Sequence, residues 1–406
     1  MIIESLIAKT RVRKTFLPFA PSSFSEEEIN EVVETLRAGC WANGPKTKLF
    51  EKAFAQYVGV KHAIAVYSGT AGLHLALIAS GITYGDEVIV PTMTFPATAN
   101  VVVHCGAKPV LADVGDDLNI KISEIARLIT SKTKAIIPVD FAGQPAALTE
   151  ILAIAQKYHL IVIENAAHPV GAVYRGKKIG SIAPITVFSF SPTQNIAMSE
   201  GGVVCTNDDE IAEKIRILSE QGISKGTRPH CSSETGQPPA DLTIPSWYYE
   251  IRYPGYEYNM TEFQAALGLV QLAKLDSFLA VRRHYAETYS EAFRFVSEIT
   301  LPLVNADSDH SWQLYIILLN LEKLRINRDQ FIEALRLENI GTDVHFIPLH
   351  LHSYYQQTFG YRTDDFPNAE WLYRRILSLP LYPKMTKNDI HDTIMAVMKI
   401  TRRLRR

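Results

Sequence analysis

The chain has 406 residues, 47% of them hydrophobic. At about 100–200 residues per domain this means two or three domains with large cores, and it excludes a disordered protein. With 41 Lys and Arg against 43 Asp and Glu, the net charge is -2. There is then no basic footprint for nucleic acid and no acidic tail, so a small molecule or a protein is the expected partner.

The N-terminus mixes Glu4, Lys9, Arg11 and Arg13 with few apolar residues and lacks the apolar block of a signal peptide. No later run approaches 18 apolar residues. Cys40, Cys105, Cys205 and Cys231 are scattered and form neither a zinc ligand set nor a disulfide framework. A cytoplasmic protein without membrane contact is expected. The basic end, Arg402-Arg403-Leu404-Arg405-Arg406, reads as a solvated terminus.

After a lead-in over residues 1–25, Ser25 followed by three glutamates predicts a helix to about Arg37. Short apolar runs follow at Ala63–Tyr67, Glu87–Pro91, Pro109–Asp113, Ala135–Asp140, Leu160–Glu164, Ile185–Phe190 and Gly202–Thr206. Most lack alternation, as strands buried on both faces do. Helical stretches lie between many of them, among them Gly72–Ser80, Ile122–Thr130 and Leu148–Lys157. The expected fold class is therefore α/β with a mostly parallel sheet over residues 26–265. A polar, Gly- and Pro-rich loop, Ser224–Pro245, interrupts it before Trp247-Tyr248-Tyr249. The expected remainder, 266–406, is a smaller α+β domain. Thr261–Leu279 and Arg282–Phe295 read as two helices. Strands at Ser311–Leu319 and Thr342–Phe346 flank a helix at Arg328–Glu338, and a last helix covers Lys387–Lys399.

In an open parallel sheet ligands bind beyond the carboxyl ends of the strands. Three segments stand there: Ser68-Gly69-Thr70-Ala71-Gly72, Glu164-Asn165-Ala166-Ala167-His168, and Ser189 through Gln194 and Asn195 to Glu200-Gly201-Gly202. Small residues opening a helix after the first expected strand suit an anion, held by backbone N–H groups and the helix dipole. Gly171 and Gly176-Lys177 imitate a phosphate loop, but Lys178 stands where a magnesium-binding hydroxyl is needed. Asn259-Met260-Thr261 is a glycosylation sequon that a cytoplasmic protein does not use.

These segments, with Gly44-Pro45-Lys46-Thr47, Pro91–Phe95, Gly143-Gln144-Pro145, Pro254-Gly255-Tyr256 and Val344–His350, resemble the DegT/DnrJ/EryC1/StrS sugar aminotransferases over about residues 16–400. Within that family the resemblance is to the 4-amino-4-deoxyarabinose type. It implies the aspartate-aminotransferase fold (PLP-dependent transferase type I) and a pyridoxal phosphate or pyridoxamine phosphate cofactor. It also implies a nucleotide-linked sugar as substrate, and an active site shared between two subunits. By the resemblance, Gly69, Thr70 and Ser189 hold the cofactor phosphate, Phe95 lies on the pyridine ring, and His168 sits near the ring hydroxyl. Asn259 corresponds to an asparagine reaching the neighbouring subunit's phosphate, although many members carry that asparagine where this chain has Glu257. His345 and His350 match positions on the substrate side, and His352 completes a histidine group for which sugar contact or packing is expected rather than metal.

Two departures stand out. Gln194 occupies the position of the family's Schiff-base lysine, and a glutamine amide is neither nucleophilic nor basic. Asn165 replaces the aspartate that keeps the pyridine nitrogen protonated. A carboxylate about 4 Å from that cation is worth on the order of 4 kcal/mol, or a few pKa units. The sequence leaves four explanations open. The chain is a non-catalytic member, alone or paired with an active homologue; a pyridoxamine phosphate enzyme like the family's lysine-less dehydratases; an engineered trapped variant; or a protein whose ligand site is lost.

Overall fold

The computed structural model describes residues 11–42, 44–225 and 247–406. The N-terminal decapeptide, Cys231 and most of the Ser224–Pro245 loop lie outside them. The chain runs α1 (Glu26–Ala38), α2 (Pro45–Val58), β1 (His62–Val66), α3 (Gly69–Ala79), β2 (Glu87–Pro91), α4 (Ala97–His104), β3 (Lys108–Ala112), α5 (Ile122–Leu128) and β4 (Thr133–Ile136). It continues with α6 (Leu148–Tyr158), β5 (Ile161–Ala166), the hairpin β6 (Val173–Tyr174) and β7 (Lys177–Lys178), β8 (Ile185–Ser189), β9 (Gly202–Thr206), α7 (Asp209–Ser219), β10 (Ile223–Lys225) and β11 (Tyr249–Ile251). The last part holds α8 (Glu262–Phe293), β12 (Ile299–Thr300), β13 (Ser308–Asp309), β14 (Tyr315–Leu319), α9 (Arg328–Leu337), α10 (Ser353–Phe359), α11 (Pro367–Tyr373), β15 (Ile376–Leu379) and α12 (Lys387–Leu404).

Seven strands form the main sheet in the order β1-β9-β8-β5-β4-β2-β3. The pairs from β8 through β5, β4 and β2 to β3 are parallel, and only β9 runs against its neighbours β1 and β8. The carboxyl ends of β1, β5 and β8 therefore share one edge. Gly202 opens β9 at that edge, opposite Val66 on one side and Ser189 on the other.

Helix α3 covers the sheet at this point, with nine of its eleven residues buried. Ser68 caps it, its Oγ accepting from Ala71 N–H at 3.1 Å. Three glycines let it lie close. A Cβ at Gly72 would stand 2.7 Å from Val187, one at Gly69 2.7 Å from Ser189 Cβ, and one at Gly202 2.6 Å from the Ser68 carbonyl carbon. None of these contacts is tolerable, so the helix start sits against the sheet edge because Cβ atoms are missing.

The expected break at residue 280 does not exist: α8 is one helix of 32 residues. Arg282 is buried within it at 3% exposure. Its Nη1 donates to the carbonyls of Trp312, Gln313 and Leu381 at 3.2, 3.2 and 2.8 Å, so the buried charge is solvated by backbone. The expected boundary at 265/266 falls in the first turn of α8. By length and apolarity α8 also meets the requirement for crossing a bilayer, against the expectation of no such segment. Here it packs on α1, α2 and α12.

A three-stranded sheet, β12-β14-β15, carries the last part of the chain. The expected strand at Thr342–Phe346 is reduced to a single bridge from Asp343 to Ser378, because Val344–Phe346 turns toward the main sheet. Strand β15 fills the place beside β14 instead. The false phosphate loop is the β6–β7 hairpin, whose Lys178 Nζ lies 3.3 Å from the centre of the Tyr57 ring.

Glu262, the first residue of α8, ties the start of the chain to this helix. Its buried carboxylate accepts from the N–H groups of Gly44, Lys46 and Thr47 at 3.1, 2.8 and 2.9 Å and from Thr47 Oγ1 at 2.5 Å. These are the donors that the start of α2 leaves open, since Gly44 offers no side-chain cap. Burial pulls the carboxyl pKa up, but the bonds from Thr47, Lys46 and Gly44 outweigh it and hold the group below the usual carboxylate range. Replacing Glu262 with Ala should lower stability by about 2–3 kcal/mol in urea unfolding near neutral pH, with an unchanged slope against denaturant. A loss below about 0.5 kcal/mol, the ordinary range for surface substitutions, would show that water replaces the carboxylate without cost.

Candidate active site

A cavity of about 440 Å³ opens at the carboxyl edge of the main sheet. Seven of the eight expected site residues, Gly69, Thr70, Phe95, Asn165, His168, Ser189 and Gln194, line it. They arrive from four separate stretches of sequence, brought together by the strand order. The first turn of α3 supplies N–H groups without intrahelical partners, and Ser189 stands beside Gly69 at the end of β8. Together they form a small cradle with donors on one side and a hydroxyl on the other, suited to a phosphate.

Phe95 forms another wall and is 58% exposed. Its ring meets Phe346 at 5.7 Å, edge to face. Phe346 also stands 6.0 Å from the His168 ring. The departure of Val344–Phe346 from the expected strand thus supplies an aromatic side to the cavity.

On the sheet floor, Asn165 Nδ2 donates to Thr98 Oγ1 at 2.9 Å, and its Oδ1 accepts from Ala167 N–H at 3.1 Å. Thr98 is in turn 2.8 Å from Thr94 Oγ1. The carbonyl of Asn165 is therefore committed to the backbone, and one N–H remains for a ligand. His168 Nδ1 accepts from Ala142 N–H at 3.0 Å, which fixes the neutral ring with its hydrogen on Nε2. Burial, reinforced by His345, pushes the His168 pKa down to about 3, so it stays a neutral donor at physiological pH. Ala142 adopts a left-handed backbone (φ 59°) to reach it, in a turn whose neighbour Gly143 cannot carry a Cβ beside Ser311.

Asn259 lies elsewhere. It bridges to Val66 and lines a separate cavity of about 300 Å³ with Thr47 and Ser219. Glu257 bridges to Glu220. His350 also leaves the group: it is buried, with Nδ1 2.8 Å from Thr92 Oγ1 and its ring 4.5 Å from Phe366. Packing, not substrate contact, explains it. His345 does line the cavity, with Nδ1 2.9 Å from Ser378 Oγ. Thr98, Gln313 and Asp343 are lining residues that sequence reasoning missed. Gln313 falls within the strand expected over Ser311–Leu319, but the strand begins only at Tyr315, and the Gln313 backbone carbonyl is held by Arg282 instead of a ladder.

Beneath the floor, Glu164 and Asp140 are both fully buried, with no cation against them among the described residues. Thr186 Oγ1 donates to Glu164 at 2.6 Å and Ala146 N–H to Asp140 at 2.8 Å. The other oxygens, Glu164 Oε1 and Asp140 Oδ2, are buried without a firm hydrogen bond among the described residues, and the two carboxyl groups act on each other. Two carboxylates so placed cannot both be ionised, so they share a proton. Burial is the main cause that raises both pKa values, and the neighbouring carboxylate adds to it for Asp140. The native state thus holds a proton that the unfolded chain releases, and stability falls as pH rises from the ordinary carboxylate range toward neutrality. Glu164→Gln, whose amide N–H takes the place of that proton, should flatten this decline in urea midpoints measured against pH. An unaltered slope would rule out the shared proton.

With this geometry in hand, the relatives are informative. The family model for DegT/DnrJ/EryC1/StrS aminotransferases matches residues 22–398. The chain is 50% identical over 390 residues to the protein MJ1066 of Methanocaldococcus jannaschii, covering 96% of this chain and 98% of that one. It is 47% identical over 392 residues to the spore coat polysaccharide biosynthesis protein SpsC of Bacillus subtilis, again covering 96% and 98%. Among solved structures, the putative sugar aminotransferase Spr1654 of Streptococcus pneumoniae in its PMP form superposes with a TM-score of 0.87 at 30% identity, over 95% of this chain and 98% of that one. Its PLP form gives 0.86. The fold is that of the PLP-dependent type I transferases, and the chain belongs to the DegT/DnrJ/EryC1/StrS aminotransferase family.

Proposed function

We propose that this chain binds a pyridoxal-type cofactor non-covalently in the cavity and does not run the ordinary transaminase cycle. Family membership supports a role in polysaccharide or amino-sugar biosynthesis, with a nucleotide-linked keto sugar as the ligand beside the cofactor. The observation that carries the reading is the cavity lining. Gln194 stands where an amine is needed, and no lysine lines the cavity among the described residues.

The cavity suits the group in other respects. The cradle at Gly69, Thr70 and Ser189 has room for a phosphate only because position 69 lacks a Cβ. The volume and the aromatic side fit a flat ring. Asn165 retains one N–H for a ring nitrogen, and His168 Nε2–H for a ring hydroxyl. When bound, such a cofactor supplies an electron sink for carbanion chemistry. Asn165 would hold such a ring through its remaining N–H without keeping a proton on the ring nitrogen, and Gln194 can neither attack as an amine nor move a proton. Both departures act on the same ligand from one cavity, which supports a degenerate member of the 4-amino-4-deoxyarabinose type over drift at one isolated position. A homodimer, or a heterodimer with an active homologue, is part of the reading. By the family resemblance, Asn259, which lies outside its own chain's cavity, would serve another subunit's site.

The test pairs the wild type with Gln194→Lys/Asn165→Asp. After incubation with pyridoxal phosphate and borohydride reduction, peptide mass spectrometry should find no adduct in the wild-type cavity and an adduct at position 194 in the double variant. The half-reaction with glutamate should be at least about a thousandfold faster in the double variant. A wild-type cavity adduct, or wild-type exchange with glutamate at a comparable rate, would overturn the reading.

A further inference from the structure

Behind the wall that carries Gln194 lies a second, much smaller cavity of about 10 Å³, lined by Gln194, Asn195, Ser23 and Arg282 among others. Four buried atoms of these residues have no partner among the described residues: Gln194 Oε1, Asn195 Oδ1, Ser23 Oγ and Arg282 Nε. The guanidinium N–H donates, the two amide oxygens accept, and the hydroxyl does either. Buried groups of this kind are satisfied in folded proteins, and a space of this size with two to four polar partners takes one water.

Arg282 makes the arrangement directional. Its Nη1 is already shared by three backbone carbonyls, and no carboxylate among the described residues pairs with it. Burial lowers its pKa only to about 10, so the charge persists at neutral pH. The negative end of the Gln194 amide belongs beside that charge. The same side chain also lines the ligand cavity, and its nitrogen is the end left to face it.

We propose that one water joins Arg282 Nε to the carbonyl of Gln194, turning the Gln194 amide nitrogen into the ligand cavity as a fixed donor, and that this donor selects a carbonyl oxygen over an amine at that point. The inference rests on the cofactor reading above and deepens it: of the two cofactor forms, the aldehyde form is preferred to the aminomethyl form. His168 Nε2–H adds a second donor to the same cavity, and an ammonium group near Arg282 meets a like charge with little water between them. The opposing features are the carboxylates of Glu200 and Asp343, which line the same cavity, and Gln313 Oε1, a buried acceptor there without a partner among the described residues. Were one of these oxygens the group that meets the ligand, the amine would be preferred.

The experiment is a calorimetric titration of the full chain with pyridoxal 5′-phosphate and with pyridoxamine 5′-phosphate. Deoxypyridoxine phosphate, which lacks both groups, gives the reference affinity. The aldehyde form should bind about tenfold more tightly than the amine form, the effect of one well-made hydrogen bond. Gln194→Glu should reverse the order. Arg282→Lys should abolish the preference while leaving the reference affinity in place. Ser23→Val, which fills the small cavity without removing a charge, should do the same and serves if the Arg282→Lys protein does not fold. Equal affinities, tighter binding of the amine, or a preference that survives both Arg282→Lys and Ser23→Val would overturn the inference and leave the cofactor reading standing. No binding of any of the three compounds would overturn both.

Discussion

The close approach of α3 to the edge of the main sheet is the constraint on which the site depends. It exists because Gly69, Gly72 and Gly202 carry no side chains where Ser189, Val187 and the Ser68 backbone come within van der Waals range. Move the helix outward by one methyl group and its first N–H groups leave the cavity, Ser189 loses its place beside them, and β9 no longer begins between β1 and β8. Helix N-termini are common. One pressed to this depth against a sheet edge is a property of three residues distant in sequence.

Around that contact the charges are placed with a clear division. Inside the ligand cavity the central groups are neutral: two amides, a histidine kept uncharged by burial, and hydroxyls. Glu200 and Asp343 add carboxylates to its lining, and further ionisable groups stand just behind the walls. Asp140 and Glu164 share a proton under the floor, and Arg282 rests on backbone carbonyls behind Gln194. A cavity with an amine and a carboxylate at these points would place a cation near Arg282 and an anion above an acid pair. The two amides of this chain remove both conflicts. The electrostatic cost of the surrounding structure is thereby lowered while the reactive groups are lost.

Much of this was legible in sequence. Apolar runs without alternation gave the buried strands, Ser25 and Glu28 the first helix, and Ser68–Gly72 the anion cradle; each signal is local and survives into the structure. The failures share a cause. Thr261–Leu279 and Arg282–Phe295 read as two helices, whereas Arg282 lies buried inside one, its charge taken by the carbonyls of residues 312, 313 and 381. Thr342–Phe346 had the composition of a strand, but Phe346 gains more by packing on Phe95 and His168 than by extending a ladder that β15 already occupies. His350 and His345 looked alike in sequence, and five residues of turn send one into the core and the other to the cavity.

The sequence by itself determined which chemical groups are present: no lysine at position 194, no aspartate at position 165, glycines where a helix start needs them. These are matters of residue identity and short-range pattern. Only the tertiary structure decided what those groups face. That His168 carries its proton on Nε2, that Glu164 lies with Asp140, and that Gln194 stands between a ligand cavity and a buried guanidinium all depend on groups 24 to 88 residues apart. Hydrogen-bond direction and burial are set by three-dimensional neighbours, and no one-dimensional pattern contains them.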